Sequence, residues 1–180
     1  MEFVKITQDF EDKEKLYALN EEAFPKEERI PSRKLLALLQ ELDCDAWAFY
    51  EGGFVGFAIL LSDDALHMAY LSYFTIDGAC RSRGYGAAAL AKLAEVYEGY
   101  QIVLDMERMD EEADNYGQRL RRLAFYERNG YRRAKVGFQY FKMDLEIMCS
   151  RGQFREQEFR QLIGRIKLPG FVPKLYPLEK

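Results

Sequence analysis

Apolar and polar residues recur along the chain with two different periods. Spacings of three and four residues predict amphipathic helices, whereas apolar runs bounded by turn residues predict strands. Helices are predicted over residues 13–24, 32–42, 85–97, 117–128 and 154–166. Strands are predicted over residues 2–7, 46–50, 54–61, 67–76, 101–106, 131–136 and 139–148.

The order of these elements favours an α+β domain over a doubly wound parallel sheet. The chain reads β α α β β β α β α β β α, so strands outnumber helices and hairpins mix with crossovers. We expect a mixed, mostly antiparallel sheet flanked by helices. Residues 1–150 are expected to form one domain, with residues 151–180 as a C-terminal helix and tail packed on it.

Composition narrows the classes of function. With a formal net charge of -4, the protein lacks the excess of positive charge that drives binding to nucleic acid. No N-terminal signal core or membrane-spanning apolar run is present, so no membrane partner is predicted. The three cysteines, Cys44, Cys80 and Cys149, form no CxxC pair, so neither a metal site nor a disulfide framework is predicted. This cysteine pattern is typical of proteins in the reducing cytoplasm, where we expect this one to be.

A glycine-containing loop between a strand and a helix is the main candidate for chemistry. It runs from Arg81 to Gly86 as RSRGYG, and backbone N–H groups at the following helix N-terminus favour an anion. Arg81 and Arg83 add positive charge. Taken alone, the loop also fits an ordinary glycine turn with solvated arginines. It lacks the lysine of a P-loop and the three spaced glycines of a dinucleotide site.

The wider stretch from Tyr73 to Gly86, YFTIDGACRSRGYG, resembles the signature of the GNAT N-acetyltransferase superfamily. In that signature an apolar strand is followed by [Q/R]-x-x-G-x-[G/A] and a helix, and Arg81, Gly84 and Gly86 occupy the three fixed positions. The family's usual His-Pro or Asn-Pro after the strand is Asp77-Gly78 here, a departure that concerns turn geometry. The resemblance implies a GNAT-like acyl-CoA N-acyltransferase fold with a V-shaped split between two central strands.

The resemblance also implies a cofactor and its binding residues. Acetyl-CoA would lie with its pyrophosphate on the loop and its pantetheine arm along the strand, where the N–H of Ile76 would help to stabilise an oxyanion. The residues implied in binding it are Phe74, Ile76, Arg81, Ser82, Arg83, Gly84, Tyr85, Gly86 and Ala87. The implied reaction is direct attack of a primary amine on acetyl-CoA in a ternary complex.

A second block, AFYERNGY, places Tyr126 where the family has its tyrosine. The resemblance implies that this hydroxyl protonates the departing thiolate. Arg122 precedes it by one helical turn and departs from the family pattern; we expect it to pair with a surface carboxylate rather than with a cofactor phosphate. Among the acidic residues at the end of the preceding strand, Glu107 is our candidate general base, although such a run is also typical of a solvated loop.

The acyl acceptor is left open by the sequence. A small-molecule amine is favoured, held by Glu27, Glu28 and Tyr73, and a peptide or protein acceptor is the alternative. Glu27 and Glu28 also fit an exposed, solvated turn. A non-catalytic acyl-CoA-binding or regulatory module of the same fold and a nucleotide-binding protein are the competing functions, and a monomer or a homodimer is expected.

Overall fold

The computed structural model describes residues 1–26 and 29–178. Within these ranges the chain forms five α-helices and eight strands. The helices are α1 (Lys13–Ala23), α2 (Ser32–Glu41), α3 (Tyr85–Val96), α4 (Tyr116–Arg128) and α5 (Glu156–Ile163). The strands are β1 (Glu2–Lys5), β2 (Asp45–Tyr50), β3 (Phe54–Asp63), β4 (Met68–Ile76), β5 (Gln101–Glu107), β6 (Arg132–Tyr140), β7 (Met143–Cys149) and β8 (Lys174–Pro177).

The chain divides into two compact units, and β4 contributes residues to both. The first comprises residues 1–62 and 71–98, and the second comprises residues 63–70 and 99–180. Helix α5 and strand β8 therefore belong to the second unit. The predicted arrangement, one domain through residue 150 with a packed appendage, stays a prediction.

The first unit is an antiparallel meander covered by α1 and α2. Strand β1 pairs with β2 and β2 with β3, with Ala48 opposite Val4 on one side and Phe57 on the other. The leucines of α1 and α2 pack on this surface because they recur with helical spacing. The buried leucines of the two helices are Leu16, Leu19, Leu35, Leu36 and Leu39.

The second unit is built on strands in the order β5-β7-β6-β8, and its described pairings are antiparallel. Phe138 of β6 lies opposite Leu145 of β7 and Leu175 of β8. Phe159 of α5 packs its ring against Phe138 at 5.5 Å between centroids, and both side chains are fully buried. The amphipathic helix predicted near the C-terminus thus covers an aromatic core.

The predicted boundary between β6 and β7 is wrong. Strands were predicted over residues 131–136 and 139–148, which places a break at residues 137–138. Gly137 instead lies within β6, and a Cβ on it would come within 2.2 Å of Cζ of Tyr176. The glycine serves close packing of β8, while the turn falls at Phe141 and Lys142. Strand β8 itself was not predicted.

No helix among the described residues is both long and apolar enough to cross a membrane. No group of three potential metal-ligating side chains was found in the described parts of the chain either.

Candidate functional site

The chain leaves β4 through a short capped turn. The side chain of Asp77 accepts a hydrogen bond from the Ala79 N–H at 2.8 Å and so begins a single 3₁₀ turn, Gly78–Cys80. The Asp-Gly pair that departs from the family pattern is therefore a capping unit. Nε of Arg81 then donates to the Ile76 carbonyl at 3.1 Å. This bond ties the start of the loop to the end of the strand.

Two left-handed residues turn the loop into α3. Ser82 has φ +61° and Gly84, the N-cap of the helix, has φ +82°. The Ala88 N–H donates to the Gly84 carbonyl at 3.0 Å, which is the first bond of the helix. The N–H groups of Tyr85, Gly86 and Ala87 precede that bond, so the helix itself gives them no acceptor. Their direction and the helix dipole favour an anion at this end.

The loop fits a phosphorylated ligand in charge and in space. Residues 81–84 are exposed, and Arg81 and Arg83 flank the turn. A Cβ on Gly84 would meet nothing within 4 Å, so a ligand can approach the backbone there. The nine residues predicted to bind the cofactor lie on one continuous strand–loop–helix segment of the first unit.

The backbone N–H and C=O groups at the end of β4 point alternately toward β3 and away from it. The Asp77 N–H donates to the Val55 carbonyl of β3 at 2.9 Å. Because successive residues of a strand point their N–H and C=O groups to opposite edges, those of Phe74 and Ile76 point away from β3. This is the direction that an added extended ligand requires.

Tyr73 lies against the connection between α1 and α2. Its hydroxyl accepts a hydrogen bond from the Ile30 N–H at 3.0 Å, and its ring contacts that of Phe24 at 4.8 Å. Tyr73 therefore holds this segment to β4. Glu27 and Glu28, the other predicted acceptor-binding residues, lie outside the described residues. Glu22 does reach the 3₁₀ turn that precedes the loop, because its Oε1 lies 3.0 Å from the position of a Cβ on Gly78.

In the second unit, Glu107 lies at the end of β5 and accepts from two donors. Nδ2 of Asn115 donates to Oε1 at 2.8 Å, and Arg122 of α4 forms an ion pair with Oε2. The prediction that Arg122 pairs with a carboxylate is thus confirmed. Arg119 extends the network, since it donates to Asn115 Oδ1 at 2.7 Å. The contacts leave the proposed role of Glu107 as base untested.

Asp105 lies two residues before Glu107 and so on the same face of β5. Tyr70 donates a hydrogen bond to Asp105 Oδ2, and the Tyr140 hydroxyl lies 3.4 Å from the same oxygen. Burial, followed by the charge of Asp105, raises the pKa of Tyr70 well above its usual range. The sequence had pointed to Glu107 and missed this carboxylate, because its phenol partners come from distant strands.

Tyr126 lies in the last turn of α4 and is 8% exposed. Its ring contacts those of Phe125 and Tyr131 at 5.3 and 5.8 Å. Burial raises the pKa of its hydroxyl to about 12, against a smaller lowering by Arg122. The phenol therefore carries its proton throughout the neutral range, as a proton donor must.

The family model "Acetyltransferase (GNAT) family" matches residues 13–131, more than half of the 180-residue chain. The chain belongs to the GNAT acetyltransferase family. The matched range covers the β4–loop–α3 segment and ends just after Tyr126. The resemblance inferred from the two motifs is confirmed, and with it acetyl-CoA as the cosubstrate.

Solved structures agree with the GNAT fold. A GNAT-family protein from Bacteroides thetaiotaomicron, described as an acetyltransferase, has 22% identity and a TM-score of 0.74, with 92% of this chain and 95% of that chain covered. An aminoglycoside 6'-N-acetyltransferase complexed with coenzyme A has 17% identity and a TM-score of 0.63, with coverage of 83% and 96%.

The ribosomal-protein-S18-alanine N-acetyltransferase from Escherichia coli has 20% identity and a TM-score of 0.61, with coverage of 85% of this chain and 94% of that chain. At these identities the likeness concerns the fold, and it confirms the predicted fold class. No curated protein matches the sequence.

Proposed function

We propose that this GNAT protein is an N-acetyltransferase that transfers the acetyl group of acetyl-CoA to a primary amine by direct attack in a ternary complex. The observation that carries the proposal is the left-handed turn at Gly84, which opens α3 beside two exposed arginines. The structural neighbours support an amine acceptor, since their names specify transfer to an aminoglycoside amine and to an alanine of a ribosomal protein.

The loop and β4 hold the donor in this proposal. The first-turn N–H groups of α3 bind the pyrophosphate, and Arg81 and Arg83 add charge to the site. The backbone groups of Phe74 and Ile76 hold the pantetheine arm as an added strand would be held. The Ile76 N–H donates to the thioester oxygen. Acetyl-CoA supplies an acyl group activated as a thioester.

Two side chains of the second unit, those of Tyr126 and Glu107, transfer protons in this proposal. The Tyr126 hydroxyl keeps its proton at neutral pH and gives it to the departing thiolate sulfur. Glu107 takes up the proton that the amine loses, and its carboxylate forms an ion pair with Arg122 in the resting protein. The acceptor in this proposal is a small-molecule amine, and Tyr73, Glu27 and Glu28 are the residues proposed to bind it. A peptide amine is the alternative acceptor.

The first test measures binding and transfer separately. Isothermal calorimetry with acetyl-CoA and with ATP is expected to give binding of acetyl-CoA alone. Thiol release in the presence of a panel of primary amines is then expected to depend on the amine. A protein that binds acetyl-CoA but releases thiol with no amine or peptide would instead be the non-catalytic acyl-CoA module. A cytoplasmic location and a monomeric or homodimeric state stay predictions.

A further inference from the structure

We propose that Gly56 is a positioning residue for the thioester. Its bare backbone fixes the peptide group between Thr75 and Ile76, and this peptide group directs the Ile76 N–H at the thioester oxygen. The role rests on the proposed function, in which that N–H donates to the oxygen. Gly56 lies in β3, touches no substrate itself and acts through the end of β4.

Gly56 is buried directly against the backbone of the last residues of β4. A Cβ on Gly56 would lie 2.3 Å from the Thr75 carbonyl oxygen, and 3.2 and 3.0 Å from Cα and Cδ1 of Ile76. Only a hydrogen atom fits at that distance from a backbone oxygen. The φ of Gly56 lies outside the left-handed region. Glycine is therefore required here for the close approach of two strands rather than for an unusual backbone angle.

The contact with the Thr75 carbonyl also sets the direction of the Ile76 N–H, because both belong to one peptide group. A peptide group is planar, and in its trans form the C=O and N–H point to opposite sides. No peptide bond of the described residues is cis. The Thr75 oxygen points toward Gly56 of β3. The Ile76 N–H therefore points away from β3, to the side on which the pantetheine arm is proposed to lie.

A bulge in β3 lies at the same place. In the pairing of β2 with β3 the register skips Val55, which lies between the paired residues Phe54 and Gly56. The Val55 carbonyl accepts the hydrogen bond from the Asp77 N–H at 2.9 Å. A bulge bends its strand and changes the direction of its residues, and bulges are frequent beside active sites. Val55 and Gly56 thus shape the end of β4 together, one by a hydrogen bond and the other by the lack of a side chain.

An N–H group held in this way is a donor that needs no reorientation during the reaction. Attack of the amine places negative charge on the thioester oxygen, and a donor that already points at this oxygen stabilises the charge. A methyl group at residue 56 would displace the Thr75 oxygen and tilt the whole peptide group. The Ile76 N–H would then lose its alignment, and hydrogen bonds weaken steeply with such a loss.

Isotope-edited infrared spectroscopy measures this hydrogen bond at the thioester. Acetyl-CoA labelled with ¹³C at the acetyl carbonyl is bound to the parent and to Gly56→Ala, and the carbonyl stretching frequency is compared with that of free acetyl-CoA. A hydrogen bond lowers this frequency. We expect a lowered frequency in the parent and a shift at least about twofold smaller in Gly56→Ala, because the donor is misaligned there.

Calorimetry separates positioning from stability. Coenzyme A lacks the thioester oxygen, so misalignment of the Ile76 N–H should weaken acetyl-CoA selectively. We expect Gly56→Ala to weaken acetyl-CoA by about fivefold relative to coenzyme A, which corresponds to one hydrogen bond. Gly137→Ala is the matched control, since its Cβ would also overlap a neighbour, 2.2 Å from Cζ of Tyr176, but in the second unit. It is expected to change neither the ratio of affinities nor the infrared shift.

A further measurement uses the parent alone and so does not depend on whether Gly56→Ala folds. A hydrogen bond at the Ile76 N–H polarises the carbonyl of the same peptide group, and this carbonyl faces Gly56. The NMR resonances of the Gly56 α-protons are therefore expected to move more when acetyl-CoA binds than when coenzyme A binds. Equal movements would overturn the proposed role of Gly56.

Each other outcome decides a different point. An infrared shift as large in folded Gly56→Ala as in the parent would overturn the role of Gly56, and so would equal weakening of acetyl-CoA and coenzyme A. An unshifted carbonyl in the parent would exclude the Ile76 contact and with it the role of Gly56. Failure of the parent to bind acetyl-CoA would overturn the proposed function instead, and calorimetry with acetyl-CoA detects that case independently.

Discussion

The guanidinium of Arg122 pairs with the carboxylate of Glu107, which joins helix α4 to the end of β5. Glu107 is also the proposed general base, so its charge has two roles that mutation can separate. The ion pair is lost when either partner becomes neutral, whereas proton uptake is lost only when Glu107 changes. Asn115 can still donate to a glutamine at that position.

We expect Glu107→Gln to lower kcat for a cationic amine by about 10²-fold at neutral pH, the low end for a lost proton acceptor. Activity is expected to recover partly at alkaline pH, because the free amine then loses its proton to solvent. Arg122→Gln is the matched control and should lower kcat much less. Equal losses in the two variants, independent of pH, would mean that the ion pair matters and that Glu107 is no base.

The charge preference of the loop is tested at Gly84. Asparagine and aspartate both tolerate its left-handed φ of +82° and differ in charge, and neither meets a neighbouring atom at Cβ. We expect Gly84→Asp to bind acetyl-CoA at least about tenfold more weakly than Gly84→Asn in dilute buffer. The difference should shrink as salt screens the repulsion. Calorimetry at two salt concentrations measures it, and equal affinities would place the pyrophosphate elsewhere.

The contact of Tyr176 with Gly137 predicts the behaviour of the C-terminal strand. A methyl group at Gly137 would overlap the Tyr176 ring and disturb its hydrogen bond to Asp144. We expect Gly137→Ala to lower the free energy of unfolding by about 1–3 kcal/mol, as overpacking does. Gly53→Ala is the control, since no atom lies within 4 Å of its Cβ position.

A double mutant checks the cause of that loss. If the overlap with Tyr176 is responsible, adding Tyr176→Ala to Gly137→Ala should cost less than the sum of the two single changes. Denaturant unfolding of the four proteins measures the coupling. Strictly additive losses would show that Gly137 is needed for its backbone rather than for the space above it.

Local patterns predicted the parts of the fold that local interactions determine. The helix at Tyr85–Val96 and the loop before it follow from the glycine at its start and from the spacing of its apolar residues. The capped end of β4 follows from the aspartate at residue 77. The continuation of β6 through Gly137 was not predicted, because the Tyr176 ring that packs on Gly137 lies in a strand far along the chain. The turn at Phe141 carries no turn signature, so sequence alone could not find it.

The same distinction applies to the candidate site. The loop from Arg81 to Gly86 and Tyr126 are marked by motifs, so both could be identified from the sequence. The bonds of Asp105 could not, because Tyr70 and Tyr140 reach it from two other strands. Which carboxylate at the end of β5 meets an arginine and which meets a phenol depends on packing of the second unit.

Tyr126→Phe tests the proposed proton donor while keeping the ring in the core. We expect kcat to fall by about 10²-fold with little change in the affinity for acetyl-CoA. The rings of Phe125 and Tyr131 should still pack against the new side chain. Steady-state kinetics and calorimetry measure the two quantities. Turnover within about threefold of the parent would leave Tyr126 as a core residue only.

The stability of the same variant provides an independent check on the environment of the hydroxyl. Burial raises the pKa of Tyr126 from its ordinary 10.0 to about 12. The stability linked to its proton is therefore fully present below pH 10 and is lost as pH rises toward 12. Between these values the free energy of unfolding of the parent should fall, relative to Tyr126→Phe, by about 1.4 kcal/mol per pH unit. Denaturant unfolding at pH 8 and pH 11 measures the difference. Parallel losses in both proteins would mean that the Tyr126 hydroxyl titrates in the folded state as it does in the unfolded chain, which would contradict its burial in the core.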